Sequence, residues 1–263
     1  MDHREVGKHW DANADAWTHL ARAGYDVCRD HLNTPAFLAM LPDVTGLHGL
    51  DIGCGEGYNT RLVAQRCASL TAFDIATKFV GHAAASEREQ PLGIRYLIAS
   101  AVEMPFADES FDFAVAFMSF MDMPEQDRVL ADAFRLLRPG GFLQFSITHP
   151  CYDTKIRAKV RDETGRHYAY EIGGYWDTAP WAPEWIFGDA PAAEKARWPK
   201  FVTPYFRRTM SDWLNAIVGA GFVFEAMGEP YPDEEVLQER PDLEDRTVLP
   251  FFLHLRCRKP AAT

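Results

Sequence analysis

The 263-residue chain has no apolar run approaching the roughly 20 residues that a membrane-spanning helix needs. Its opening residues are mixed and polar, unlike a secretory leader, so a cytoplasmic location and no membrane partner are expected. Cysteine is sparse: five residues at 28, 54, 67, 151 and 257 form no Cys-x-x-Cys pair and no zinc spacing. Reduced thiols in a reducing compartment account for them. Positive charge is also short, 27 Lys and Arg against 38 Asp and Glu, for a net charge of -11. Phosphate backbones are held by clustered Lys and Arg, so nucleic acid is not expected as the main partner. The local basic group Arg157, Lys159 and Arg161 reads as a solvated face. There is no internal repeat and no low-complexity tract. No compact acidic trio follows the expected fourth or fifth strand, so no metal is expected.

What the chain does have is the balance of a soluble globular protein, 47% hydrophobic and 25% charged residues. Its length buries one substantial core, and 1–263 is read as a single domain with four zones. Residues 1–45 read as a helical cap carrying Trp10, Trp17 and Tyr25. Residues 46–150 alternate short apolar runs with helical patterns, the signature of β-α-β units and a parallel sheet. Strands are expected over 49–52, 70–74, 94–99, 111–118 and 142–148, with helices between them and a stop at Arg138-Pro139-Gly140-Gly141. Residues 151–206 read as irregular, rich in proline and aromatics. Residues 207–263 read as a helix opened by Ser211 as N-cap, then two strands joined by a solvated acidic loop and paired antiparallel.

The first of these strands runs into Gly53-Cys54-Gly55-Glu56-Gly57 and then a helix. Glycine there lets the backbone turn sharply and approach a ligand with no Cβ in the way. A dinucleotide site would want GxGxxG to meet a pyrophosphate, but Tyr58 stands where the third glycine should fall. Asp51, just before the loop, suits an ammonium better than a pyrophosphate. Asp74, at the end of the second strand, can accept hydrogen bonds from a ribose diol. An ammonium and a ribose diol without phosphate describe S-adenosylmethionine (SAM). A dehydrogenase therefore ranks last.

The run Asp51-Ile52-Gly53-Cys54-Gly55-Glu56-Gly57, then Asp74, Met104-Pro105-Phe106 with Ser110-Phe111-Asp112, and Leu137-Arg138-Pro139-Gly140-Gly141 resembles the successive motifs of class I SAM-dependent methyltransferases. The likeness is to the type 11, ubiquinone-biosynthesis-like branch and covers about residues 46–150. It implies an α/β fold, a Rossmann-like three-layer sandwich. Its seven-stranded, mostly parallel sheet would have the order 3-2-1-4-5-7-6 with strand 7 antiparallel. It also implies site roles. Gly53, Gly55 and Gly57 would wrap the methionine and ribose, and Asp74 would bind the ribose with Ile75 beside the adenine. Ala101 and Val102 would flank the adenine edge, and Phe117 and Met118 would lie near the sulfonium. There are two departures: Ser100 stands where the family often has Asp, and Met121-Asp122-Met123 where it often has histidines.

In open α/β sheets ligands bind beyond the carboxyl ends of the strands. The aromatic insertion could cover that edge as a lid over an apolar acceptor, with Tyr175, Trp176, Trp181 and Trp185 facing it and Tyr25 joining from the cap. A dimer interface is the other use of such aromatics, so monomer and homodimer both stay open. Methyl transfer needs alignment above all, and a base only when the acceptor must lose a proton. His149, at the end of the fifth strand, is the expected base; capping the turn before Pro150 is its other reading, and Tyr25, His167 and Asp122 stand behind it. The function expected is methyl transfer from SAM to a small-molecule acceptor, at oxygen first and nitrogen or sulfur next, releasing S-adenosylhomocysteine (SAH). A tRNA methyltransferase and a non-catalytic SAM-binding regulator are the alternatives.

Overall fold

The computed structural model describes residues 1–261. Its centre is a seven-stranded sheet. Five parallel strands, β1 (His48–Ile52), β2 (Ser69–Asp74), β3 (Arg95–Ile98), β4 (Phe111–Phe117) and β5 (Leu137–Thr148), carry the core. After four short strands outside this sheet, described below, come β10 (Val223–Gly228) and β11 (Phe252–Arg258). The order across the sheet is β3-β2-β1-β4-β5-β11-β10, and β11 is antiparallel to both neighbours. Taken as the seven strands of the sheet, this is the order 3-2-1-4-5-7-6 that the resemblance implies.

The central strands are mostly apolar because both faces are covered. Phe113 and Val115 of β4 pack with Phe37, Val63 and Phe142 on one side. Ala114 and Ala116 meet Leu130, Leu136 and Ile217 on the other. A close approach joins β4 to β1: a Cβ on Gly49 would meet the Phe113 ring at 2.2 Å, so this position is restricted to glycine.

Helices flank the sheet: α1 (His3–Arg22), α2 (Thr34–Met40), α3 (Tyr58–Ala64), α4 (Thr77–Glu89) and α5 (Gln126–Leu136). The long α1 starts at a capping box in which Asp2 accepts from the Arg4 and Glu5 amides and Glu5 reaches back to the Asp2 amide. A π-helical turn, Arg29–Asn33, leads into α2. None of the helices among the described residues is long and apolar enough to cross a membrane.

Several sequence expectations are corrected. Residues 151–206 are not irregular throughout. They hold the antiparallel hairpin β6 (Ile156–Arg161) and β7 (His167–Gly173), the short pair β8 (Glu184–Trp185) and β9 (Phe201–Val202), and α6 (Ala192–Arg197) between those two. The helix α7 (Met210–Gly219) is capped by Thr209, whose hydroxyl accepts the Asp212 amide while Asp212 returns a bond to the Thr209 amide; Ser211 lies inside the first turn. The motif at Arg138 to Gly141 does not follow a separate helix stop, because β5 begins at Leu137, directly after α5. The acidic loop before β11 is not wholly solvated. It folds into α8 (Glu234–Glu239) and a 3-10 turn, Pro241–Thr247, and buries Leu243 beside Val27, Leu32 and Phe252.

Candidate cofactor and acceptor site

The glycine loop leaves β1 with positive φ at Gly53, Gly55 and Gly57 (77°, 54° and 86°). It is tied to the end of β2: the Gly53 and Cys54 amides both donate to the Phe73 carbonyl, at 2.9 and 3.0 Å. The Gly55 amide donates to Asp74 Oδ2 at 2.9 Å, while Asp74 Oδ1 accepts the Ala76 amide at 2.9 Å. A Cβ on Gly55 would project into open space, so nothing of the protein crowds the loop there.

That space belongs to a cavity of about 590 Å³ beyond the carboxyl ends of the strands. Sheet order gives it two sides. On the β1-β2-β3 side the wall includes Asp51, Gly53, Gly55, Asp74, Ala101 and Val102, with Ile75 next to Asp74. Phe117 and Met118, at the end of β4, stand in the middle. On the β5-β11 side the wall includes Thr148, Tyr152, Tyr205, Arg246 and Phe251. A volume of this size lies within the range of roughly 300–1,000 Å³ that small-molecule sites occupy.

Two features on the first side fit a cationic, phosphate-free adenosyl ligand. Asp51 is buried; its Oδ2 accepts the Thr60 hydroxyl at 2.6 Å, and its Oδ1 has no partner. Burial pushes this carboxyl up to about 7. An ammonium would supply the missing partner. Asp74 is likewise raised by burial, and its two backbone bonds leave lone pairs on both oxygens for hydroxyl donors. At Ser100 the departure from the family is filled locally: its hydroxyl meets His3 Nδ1 at 2.6 Å, bringing the start of α1 to this edge.

Met118 has φ of 52°, a conformation unfavourable for a side chain of its size. Its amide donates to the carbonyl and hydroxyl oxygens of Ser146, at 3.0 and 3.1 Å. Ser146 Oγ also accepts from Asn33 in the π-helical turn, and Asn33 Oδ1 accepts from Nε2 of buried His254 at 2.7 Å. Burial pushes His254 down to about 3, so it is neutral and serves this network as a fixed donor.

The roof is shared by the cap and the insertion. Trp17 of α1 packs edge-on to Trp185 and Phe187, with ring centroids 5.4 and 5.0 Å apart. Asn13 exchanges two hydrogen bonds with the Val202 backbone, at 2.9 and 3.1 Å, and so adds to the edge of β9. Glu56 of the glycine loop holds Arg22 at 3.0 Å and Arg29 at 3.6 Å, fastening the cap from below.

Most of the expected site residues converge on this cavity, and four do not. Tyr25, Trp181 and Trp185 line it. Tyr175 does not: its hydroxyl accepts the Met210 amide at the start of α7. Trp176 stands 79% exposed on the surface. Gly57 turns the chain into α3 as its left-handed N-cap, away from the wall. His149 is buried off the cavity: Nδ1 accepts the Cys151 amide at 3.1 Å, and Nε2 donates to Glu229 at 3.0 Å. Both ring nitrogens are engaged in ordering the turn, and burial lowers its basicity. The expectation of a base at His149 is therefore corrected to its capping reading.

The cavity wall also holds groups that sequence reasoning passed over or ranked low. Asp122 is buried, and its Oδ1 has no partner. Burial, aided by the charges of Asp153 and Asp74, raises it well above an ordinary carboxyl. Asp153 is raised to about 6 by burial, against the pull of Arg207 and Arg157. Arg246 lies in the stretch read as solvated loop; an arginine just before the apolar run into β11 was the available signal.

Residues 50–145 match the family described as methyltransferase domain, type 11. An O-methyltransferase of Penicillium expansum is 30% identical over 60% of this chain and 64% of its own length. The 27-O-demethylrifamycin SV methyltransferase of Amycolatopsis mediterranei is 33% identical over 53% of this chain and 56% of its own. The chain thus spans less than two thirds of these curated relatives. The crystal structure of a SAM-dependent methyltransferase from Mesorhizobium loti superposes with a TM-score of 0.70 at 27% identity, covering 85% of this chain and 96% of that one. With the sheet order and glycine loop above, the chain is similar to the class I SAM-dependent methyltransferases, and residues 50–145 match their methyltransferase domain.

Proposed function

We propose that this protein transfers the sulfonium methyl of SAM to a small-molecule acceptor, at oxygen first and at nitrogen or sulfur next, by in-line displacement. The observation that carries the reading is the cavity beyond the carboxyl ends of the strands. Its adenosyl-compatible side runs past Met118 into an aromatic chamber roofed by the cap and insertion. The Penicillium expansum relative described as an O-methyltransferase supports oxygen as the acceptor atom.

Within this reading Asp51 holds the ammonium and Asp74 the ribose hydroxyls, with Gly53 and Gly55 exposing backbone between them. Ile75, Ala101 and Val102 flank the adenine, while Phe117 and Met118 border the reacting centre. Bound there, SAM supplies a methyl already activated by positive sulfur. The protein's contribution is alignment and exclusion of water, and alignment alone can supply about 7–11 kcal/mol. Trp17, Trp181 and Trp185 exclude water from above. Where the acceptor must lose a proton, Asp122 is the group to take it, since a carboxylate with a raised pKa is a stronger base. The whole chain acts as one unit, as a monomer or homodimer in a reducing, cytoplasmic setting, without nucleic acid.

Incubation with methyl-labelled SAM, a panel of small alcohols, phenols, acids, amines and thioethers, and bulk tRNA tests the assignment. Label is expected in a small molecule and not in tRNA. Label in tRNA alone would make this an RNA enzyme. SAM binding with no labelled product from any acceptor would favour a regulatory role.

A further inference from the structure

We propose that Arg157 and Arg246 form an anion subsite on the β5-β11 side of the cavity, selecting acceptors that carry a carboxylate or phosphate group. This rests on the methyl-transfer reading of the same cavity. Both arginines line it, and Tyr152 stands between them. Arg246, in the turn before β11, holds its guanidinium 4.3 Å from the Phe251 ring centroid and 5.5 Å from that of Tyr152. It donates to the Tyr152 hydroxyl at 2.7 Å. Arg157 of β6 lies 3.9 Å from the Tyr152 ring centroid and donates to the Tyr152 carbonyl. Tyr152 itself is buried. The aromatic faces steady both cations without neutralising them.

The missing component is a negative charge. Among the described residues neither guanidinium has a carboxylate within ion-pair distance, although the chain carries an excess of acid. The carboxylates that could have served are engaged. Asp245, adjacent in sequence to Arg246, is held by Lys159 and by His167 at 3.0 Å. Asp153 pairs with Arg207 at 3.6 Å. By contrast Arg29, the third arginine on the wall, is fully partnered by Asp30 at 2.7 Å and by Glu56. A guanidinium offers five donors in a planar fork that matches carboxylate and phosphate oxygens. Both guanidiniums line the same cavity; Arg246 is the more buried of the two, and a partly desolvated cation is costly until paired, while Arg157 reaches the wall from the exposed β6.

The test is calorimetric titration of SAH-saturated protein with octanoate, octyl phosphate, octanamide, phenylacetate and phenylacetamide. At least one anion is expected to bind about tenfold or more tightly than its neutral counterpart, as charge-assisted hydrogen bonds allow. The octanoate and octyl phosphate arms tell which anion the subsite takes. Arg246→Gln and Arg157→Gln should each reduce that preference, and Arg246→Lys should retain part of it, with SAH affinity unchanged. Equal binding of anions and neutral analogues overturns the proposal. So does absence of any anion binding to SAH-loaded protein, or a preference that survives both glutamine variants. Failure to bind SAH at all would instead strike the cofactor reading beneath it.

Discussion

Asp51 is 1% exposed, with one carboxylate oxygen unpartnered and its pKa raised from 3.8 to about 7 by burial. The folded state therefore keeps a proton that the unfolded chain has lost, so this group lowers stability as pH rises from about 4 to about 7. A bound ammonium reverses the preference by favouring the carboxylate. SAH affinity should thus strengthen as pH rises from about 6 to about 8 and weaken as pH falls through the same range, with proton release on binding. Calorimetry in buffers of different ionisation enthalpy measures both, and Asp51→Asn should flatten the profile. His149→Ala is expected to leave methyl transfer and SAH affinity unchanged while lowering stability by about 1–2 kcal/mol, the cost of a buried turn losing its bonds. Lost turnover with normal SAH affinity would restore His149 as a base. At this scale the sequence exposes residues whose type is dictated by local backbone, such as Gly53 and Gly55, and carboxylates at strand ends. It hides partners brought together across the chain. Ser100 meets His3 from 97 positions away, and Arg246 reaches Tyr152 from 94.

The deeply buried elements were the plainest in the sequence. The strands β1, β2, β4 and β5 appear as apolar runs because both faces are covered. The hairpin β6-β7 escaped because most of its residues are exposed, so Ile156-Arg157-Ala158-Lys159-Val160-Arg161 shows no burial alternation to mark it as strand. Helix starts turn on side-chain bonds that spacing alone does not reveal. Thr209 and Ser211 are both acceptable cap residues by type, and only the geometry selects Thr209. Thermal denaturation separates them: Thr209→Ala should cost about 1 kcal/mol, whereas Ser211→Ala should cost much less. Equal losses would contradict the cap assignment.

The whole molecule is a cofactor-binding sheet edge closed by two segments distant in sequence. The cap reaches over from residues 1–45 and the insertion from 151–206; Asn13 and Trp17 fasten the two together, and Glu56 ties the cap to the glycine loop. The family motifs describe the floor of the cavity, since they lie on the strands and the first loop. They are silent on the roof and on the β5-β11 wall, which is where an acceptor is selected. The central claim concerns the floor, and parallel calorimetric titration with SAM, SAH and NAD tests it most directly. Saturable binding of SAM and SAH, with none of NAD, is the predicted result. Binding of NAD, or of neither adenosyl ligand, would contradict it.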